Sequence, residues 1–326
     1  YQKTITKQWE YYKLAADQGN AYAQCNLGWA YGNGKGGLPK DDYKKVEYFK
    51  LAADQGNAYG QYGLGWAYGI GQGGLPKDDY KKVEYYKLAA DQGDAYAQYG
   101  LGVAYHFGQG GLPKDDYKAV EYYKLAADQG NAYAQYCLGV AYGNGQGGLP
   151  KDDYKKVEYY KLAADQGNAN AQYNLGVAYH FGQGGLPKDD YKKVEYYKLA
   201  ADQGDANAQC ALGVAYRFGQ GGLPKDDYKK VEYYKLAADQ GNANAQYNLG
   251  VAYRFGQGGL PKDDYKKVEY HKLAADQGNA YAQYCLGVAY GNGEGGLQKD
   301  DYKKVEYYKL AADQGNANAQ CALGVA

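Results

Sequence analysis

The chain has no serine and no methionine, threonine occurs only as Thr4 and Thr6, and neither sign of charge is in excess, with 37 basic and 37 acidic residues among 326. Each absence removes a class of function. Without serine, and with cysteines lacking a plausible histidine partner, a nucleophilic triad has no support. No Asn-x-Ser/Thr sequon exists, so N-linked glycan at the usual acceptor is excluded and O-linked sugar would need the two threonines or tyrosine. A nucleic-acid binder needs surplus positive charge to displace counterions, and a membrane-surface protein needs a basic face; a balanced chain offers neither. No apolar run approaches the roughly 18 residues of a membrane span, so membrane insertion is not expected. A chain without an initiating methionine reads as processed or partial.

Five cysteines, Cys25, Cys137, Cys210, Cys285 and Cys321, are odd in number and scattered, which suits small buried residues or surface thiols better than a disulfide framework. They do not fix the compartment. Of the three histidines, His106 and His180 fall at one repeat position two units apart, roughly 20 Å in a stack of helices spaced by about 10 Å, and His271 lies on another helix. No zinc site can be assembled from them, and no cofactor or enzymatic activity is expected.

What is present is repetition. The glycine that closes Ala-Asp-Gln-Gly recurs at Gly19, Gly56, Gly93, Gly130, Gly167, Gly204, Gly241, Gly278 and Gly315, always 37 residues apart. A fixed period of that length means one supersecondary unit stacked on copies of itself. Within residues 20–56, Asn20 is a good N-cap, and Ala23, Leu27, Ala30 and Tyr31 mark one face of a helix over 21–32, helix A. Glycines and Pro39 interrupt the chain, Asp41 or Asp42 caps a second helix, helix B, and Gly56 ends it. Helices this short are marginal in water, so stacking is obligatory. The letters Gly32-x-Gly34-x-x-Gly37 match a dinucleotide fingerprint, but they follow a helix and recur as punctuation. Helix capping likewise accounts for Asp41-Asp42 better than calcium binding does.

The stretch Gly19-Asn20-Ala21-Tyr22-Ala23-Gln24-Cys25-Asn26-Leu27-Gly28-Trp29-Ala30-Tyr31, then Gly34-x-Gly36, then Tyr48-Phe49-x-x-Ala52-Ala53-x-x-Gly56, resembles the Sel-1-like repeat, a relative of the tetratricopeptide repeat. The resemblance covers the whole chain. It implies an all-α, right-handed superhelical α-solenoid of nine helix-B/helix-A hairpin units, with helix A on the concave wall. The chain then divides into an N-terminal half-repeat 1–19, full repeats 20–56, 57–93, 94–130, 131–167, 168–204, 205–241, 242–278 and 279–315, and an incomplete repeat 316–326, all in a single solenoid. The unit departs from the family in an extra loop glycine and in Lys45, where a small residue is expected; only Ala119 restores one. Family members scaffold complexes or act at bacterial surfaces and host interfaces, so a secreted or cell-surface setting is the implied one.

Differences among the copies concentrate at positions 22, 25, 26, 29, 32 and 33 of the unit, a stripe at helical spacing. The candidate interaction face is Tyr22, Trp29, Tyr59, Trp66, Tyr96, Tyr133, Asn170, Asn207, Asn244 and Tyr281; free drift of solvated positions would also produce it. A tyrosine wall can stack on a neighbour, a peptide or a sugar. At the ends, Ile5 and Trp9 on the opening helix B and Leu323 and Val325 on the closing helix A are candidate contacts between copies, a head-to-tail association that does not close and yields a fibre; a shortened chain would leave the same ends. Three readings follow: an extended structural solenoid, which repeat uniformity favours, a protein-protein adaptor with partners in the concave groove, and a carbohydrate-binding wall.

Overall fold

The computed structural model describes residues 2–325, with side chains described from 8 to 324. Ile5 and Val325 therefore lie outside the described residues as far as their side chains are concerned. Among the described residues every regular element is helical. One compact unit, residues 1–166, holds α1 (Gln2–Asp17), α2 (Ala21–Asn33), α3 (Asp42–Asp54), α4 (Ala58–Ile70), α5 (Asp79–Asp91), α6 (Ala95–Phe107), α7 (Asp116–Asp128), α8 (Ala132–Asn144) and α9 (Asp153–Asp165). A second, residues 167–326, holds α10 (Ala169–Phe181), α11 (Asp190–Asp202), α12 (Ala206–Phe218), α13 (Asp227–Asp239), α14 (Ala243–Phe255), α15 (Asp264–Asp276), α16 (Ala280–Asn292), α17 (Asp301–Asp313) and α18 (Ala317–Val325). The all-α hairpin repeat expected from the sequence is what is observed.

Local chemistry sets the helix ends. Asn20 accepts a hydrogen bond from the Ala23 amide at 2.9 Å, satisfying one of the donors orphaned in the first turn of α2. Asp41, rather than Asp42, is the cap of α3, accepting from the Lys44 amide at 3.0 Å. Helix A runs one residue past Gly32, to Asn33. After α3, Gly56 at φ +79° lets its amide reach Ala53 and the Asn57 amide reach Ala52, so the turn into α4 needs three residues.

Each helix packs on its neighbours in the chain, α2 on α3 and α3 on α4, and the pattern continues inside each unit. The core consequently belongs to seams rather than to hairpins: Ala119, Val120, Tyr123 and Ala126 of α7 are buried together with Ala134, Leu138 and Ala141 of α8 and Tyr105 of α6. Close approach demands glycine at the seam. The backbone of Gly73, in the loop after α4, lies against Val46 and the Asp42 carbonyl of α3, where a Cβ would clash.

Candidate functional site

Three polar and aromatic devices tie the hairpins into rigid walls. The first is a glutamine relay. Gln24, only 4% exposed, donates to the Ala16 carbonyl of α1 at 3.2 Å and accepts from Gln55 at the end of α3 at 2.7 Å. The relay recurs with Gln98 and Gln129, and with Gln209 and Gln240. Buried amides thereby keep their partners instead of losing roughly 1–3 kcal/mol each.

The second is a stack within each hairpin: Tyr31 lies on Tyr48 with centroids 5.7 Å apart and planes 9° from parallel, and the Lys44 ammonium sits 5.1 Å above the Tyr31 ring. The third replaces the small residue expected at position 45. The Lys45 stem crosses Gly32, its ammonium lies 3.9 Å from the Trp66 ring centre, and it donates to Gln72 of the next loop at 2.8 Å. Burial pulls its pKa below the ordinary lysine value. Lys230 repeats the clip on Gln257 at 2.9 Å. At Lys267 burial works against the charge, yet the Asp264 and Glu294 carboxylates, 2.7 and 2.6 Å away, outweigh it and hold the pKa up.

The variable stripe divides into two layers. Tyr22, Tyr59, Tyr96, Tyr133 and Tyr281 are exposed, between 52 and 61%, and Asn170, Asn207 and Asn244 are exposed at the same register. Trp29 and Trp66 are half-buried instead: Trp29 packs edge-on against Phe49 of α3 at 5.0 Å, and Trp66 lies against the α5–α6 core. The exposed row is held from behind. Tyr96 leans on Tyr62 at 5.7 Å, Tyr133 on Tyr99 at 5.7 Å and Tyr281 on Tyr247 at 5.8 Å, each pair joining consecutive repeats. Burial raises the pKa of Tyr62 and Tyr99, both to about 12, so these supporting phenols stay neutral. Asn207 and Asn244 accept from the cap side chains Asn242 and Asn279 of the following repeat, both at 2.9 Å.

At the opening, Trp9 packs within the chain, half-buried against Tyr12 and the Gly36 loop; Leu323 is partly exposed. Two further features escaped the sequence reading. Helix B presents its own exposed tyrosines, Tyr43, Tyr80, Tyr117 and Tyr154 in the first unit, at a position that does not vary among the complete copies. A cavity also opens beside Ala119, whose signal was a single departure from lysine. Cys25 and Cys210 are buried, and burial pushes the Cys25 thiol up to about 12 and that of Cys210 to about 11. Among the described residues no three His, Cys, Asp or Glu side chains cluster as a metal site would require, and no helix is long and apolar enough to cross a membrane.

The Sel1 repeat pattern matches residues 9–20, 21–57, 58–94, 95–131, 132–168, 169–205, 206–242, 243–279 and 280–316. Among solved structures, a protective antigen of uropathogenic Escherichia coli displaying an SLR fold is 35% identical with a TM-score of 0.69, over 97% of this chain and 66% of that one. The chain thus spans just under two thirds of that antigen. A Sel1 repeat protein from Oxalobacter formigenes is 29% identical with a TM-score of 0.61, over 99% of this chain and 92% of that one. No curated protein matches the chain. With nine segments in register and both structures sharing its hairpins, the chain belongs to the Sel1 repeat family.

Proposed function

We propose that the chain is a non-enzymatic scaffold that binds protein partners through the exposed register of helix A. The observation that carries this reading is the row Tyr59, Tyr96 and Tyr133, uncharged, aromatic and more than half exposed, with Tyr96 and Tyr133 braced from behind by Tyr62 and Tyr99. Rigid tyrosines offer large contact area at little conformational cost. In the second unit Asn207 and Asn244 present amides at the same register, held by Asn242 and Asn279, and Tyr281 presents a ring braced by Tyr247. A photo-crosslinking phenylalanine placed at Tyr96 should yield protein adducts in the native host, and the same group at Tyr117 on helix B should not. Equal adducts from both positions, or none from Tyr96, would sink the reading.

A further inference from the structure

We propose that the cavity beside Ala119 is a binding site for a linear primary alkylammonium ion, the chemical equivalent of the lysine side chain missing from that repeat. The cavity has a volume of about 280 Å³ and is walled by Val103, Val120, Tyr136 and Val140, with His106, Asp116 and Gln146 supplying its polar groups. An apolar cavity of about 150 Å³ admits a guest the size of benzene, so space is not limiting.

The other repeats show what this space is shaped to hold. In α11 and α13, where position 45 is lysine, the stem fills it and the ammonium takes two acceptors: Lys193 meets the Asp190 carboxylate at 2.6 Å and Gln220 at 3.0 Å, and Lys230 meets Asp227 at 2.5 Å and Gln257 at 2.9 Å. Asp116 and Gln146 are the counterparts of those acceptors, and both line the cavity. Gln146 Oε1 accepts a long bond from Asn144, 3.4 Å. The α10–α11 hairpin gives the internal comparison, because it carries the same histidine together with the lysine. There His180 stands 3.8 Å from Asp190, whose near partner is Lys193; beside Ala119, His106 moves to 2.6 Å from Asp116. The carboxylate takes the available donor in each case, and at Asp116 that donor is a side chain one-third exposed and free to swing aside for a guest.

The guest is specified by subtraction. Lysine beyond its Cβ is n-propylammonium, so the chain should be unbranched, the head a primary ammonium with three donors for Asp116, Gln146 and solvent, and the tail apolar against the valines. A neutral alcohol of the same length keeps the tail contacts and forfeits the charge-assisted bonds. A tetraalkylammonium keeps the charge but has no N–H to donate.

The test is titration of the full chain with n-propylammonium and n-butylammonium, followed by NMR at the Ala119 methyl and the His106 ring. Saturable shifts with a dissociation constant on the order of millimolar are expected for so small a guest. Ala119→Lys, which restores the residue of the other repeats, should abolish them while raising the melting temperature; Asp116→Asn should weaken binding about tenfold, as loss of a charged partner does. An Ala119→Lys protein that titrates like the parent, n-butanol binding as well as n-butylammonium, or shifts that do not saturate would each overturn the proposal.

Discussion

The clearest consequences at the scale of single residues come from positions that break the repeat. His271 replaces the tyrosine found at Tyr160, Tyr197 and Tyr234, and it is 2% exposed, stacked on Tyr247 at 5.7 Å, with neither ring nitrogen hydrogen-bonded. Burial, with Lys267 and Arg254 adding positive charge nearby, lowers its pKa from 6.5 to about 4. Between those values the unfolded chain takes up a proton that the folded chain refuses. Stability from this group is therefore complete above pH 6.5 and declines as pH falls toward 4, by up to about 3 kcal/mol. In His271→Tyr that contribution disappears. The difference in melting temperature between variant and parent should widen on acidification through this window, and a difference independent of pH would refute the assignment. The variant should also be the more stable at neutral pH, since it fills the adjoining cavity of about 190 Å³ and removes two unpartnered nitrogens.

Among elements, the ends of helices were legible in the sequence because they are decided within a few residues. Asn20, Asp41 and Gly56 act on backbone groups one to four positions away, so their chemistry can be read from the chain itself. Asp152 and Asp153 sharpen the point. Asp152 accepts from the amides of Tyr154 and Lys155, whereas Asp153 stands 3.6 Å from Lys156 with a half-exposed side chain. Asp152→Ala should cost about 1 kcal/mol and speed amide exchange in the first turn of α9, while Asp153→Ala should change stability by a few tenths at most. Equal losses in urea unfolding would contradict the capping role. What the helical period could not convey is the depth of a seam. Positions 25 and 29 share a stripe with Tyr22, yet Trp29 turns edge-on to Phe49 and Tyr62 stacks on Tyr86 at 5.5 Å, both where helix A folds back on helix B of its own hairpin. Lys45 was equally opaque: a lysine in a helix reads as solvated, and only the gap over Gly32 shows where its stem lies.

At the scale of a whole compact unit, the governing property is that its seams are built largely from the same parts in the same register. Val46 meets Gly73, Val83 meets Gly110 and Val120 meets Gly147; Lys45 reaches Gln72 and Lys82 reaches Gln109. Removing residues 57–93, one full 37-residue period, would bring α3 against α6, with Val46 facing Gly110 and Lys45 facing Gln109. The glycine contact and the lysine-glutamine clip are then regenerated, while the Trp66 ring under Lys45 and the Tyr62 brace behind Tyr96 give way to Val103 and Cys25. Such a deletion should fold, keep its helicity per residue and lose only a few degrees of melting temperature, because stability in a repeat array is nearly a sum of units and nearest-neighbour seams. Removing residues 57–74 instead takes out α4 alone and sets two B helices side by side. Phe49 then keeps Gly28 but loses Gly63, Gln92 loses Gln61, and the Lys45 ammonium has no loop to reach. Buried polar groups would be stranded on both faces, so this shorter deletion should melt without cooperativity in circular dichroism. If the half-period deletion proves as stable as the full-period one, register does not hold the structure together.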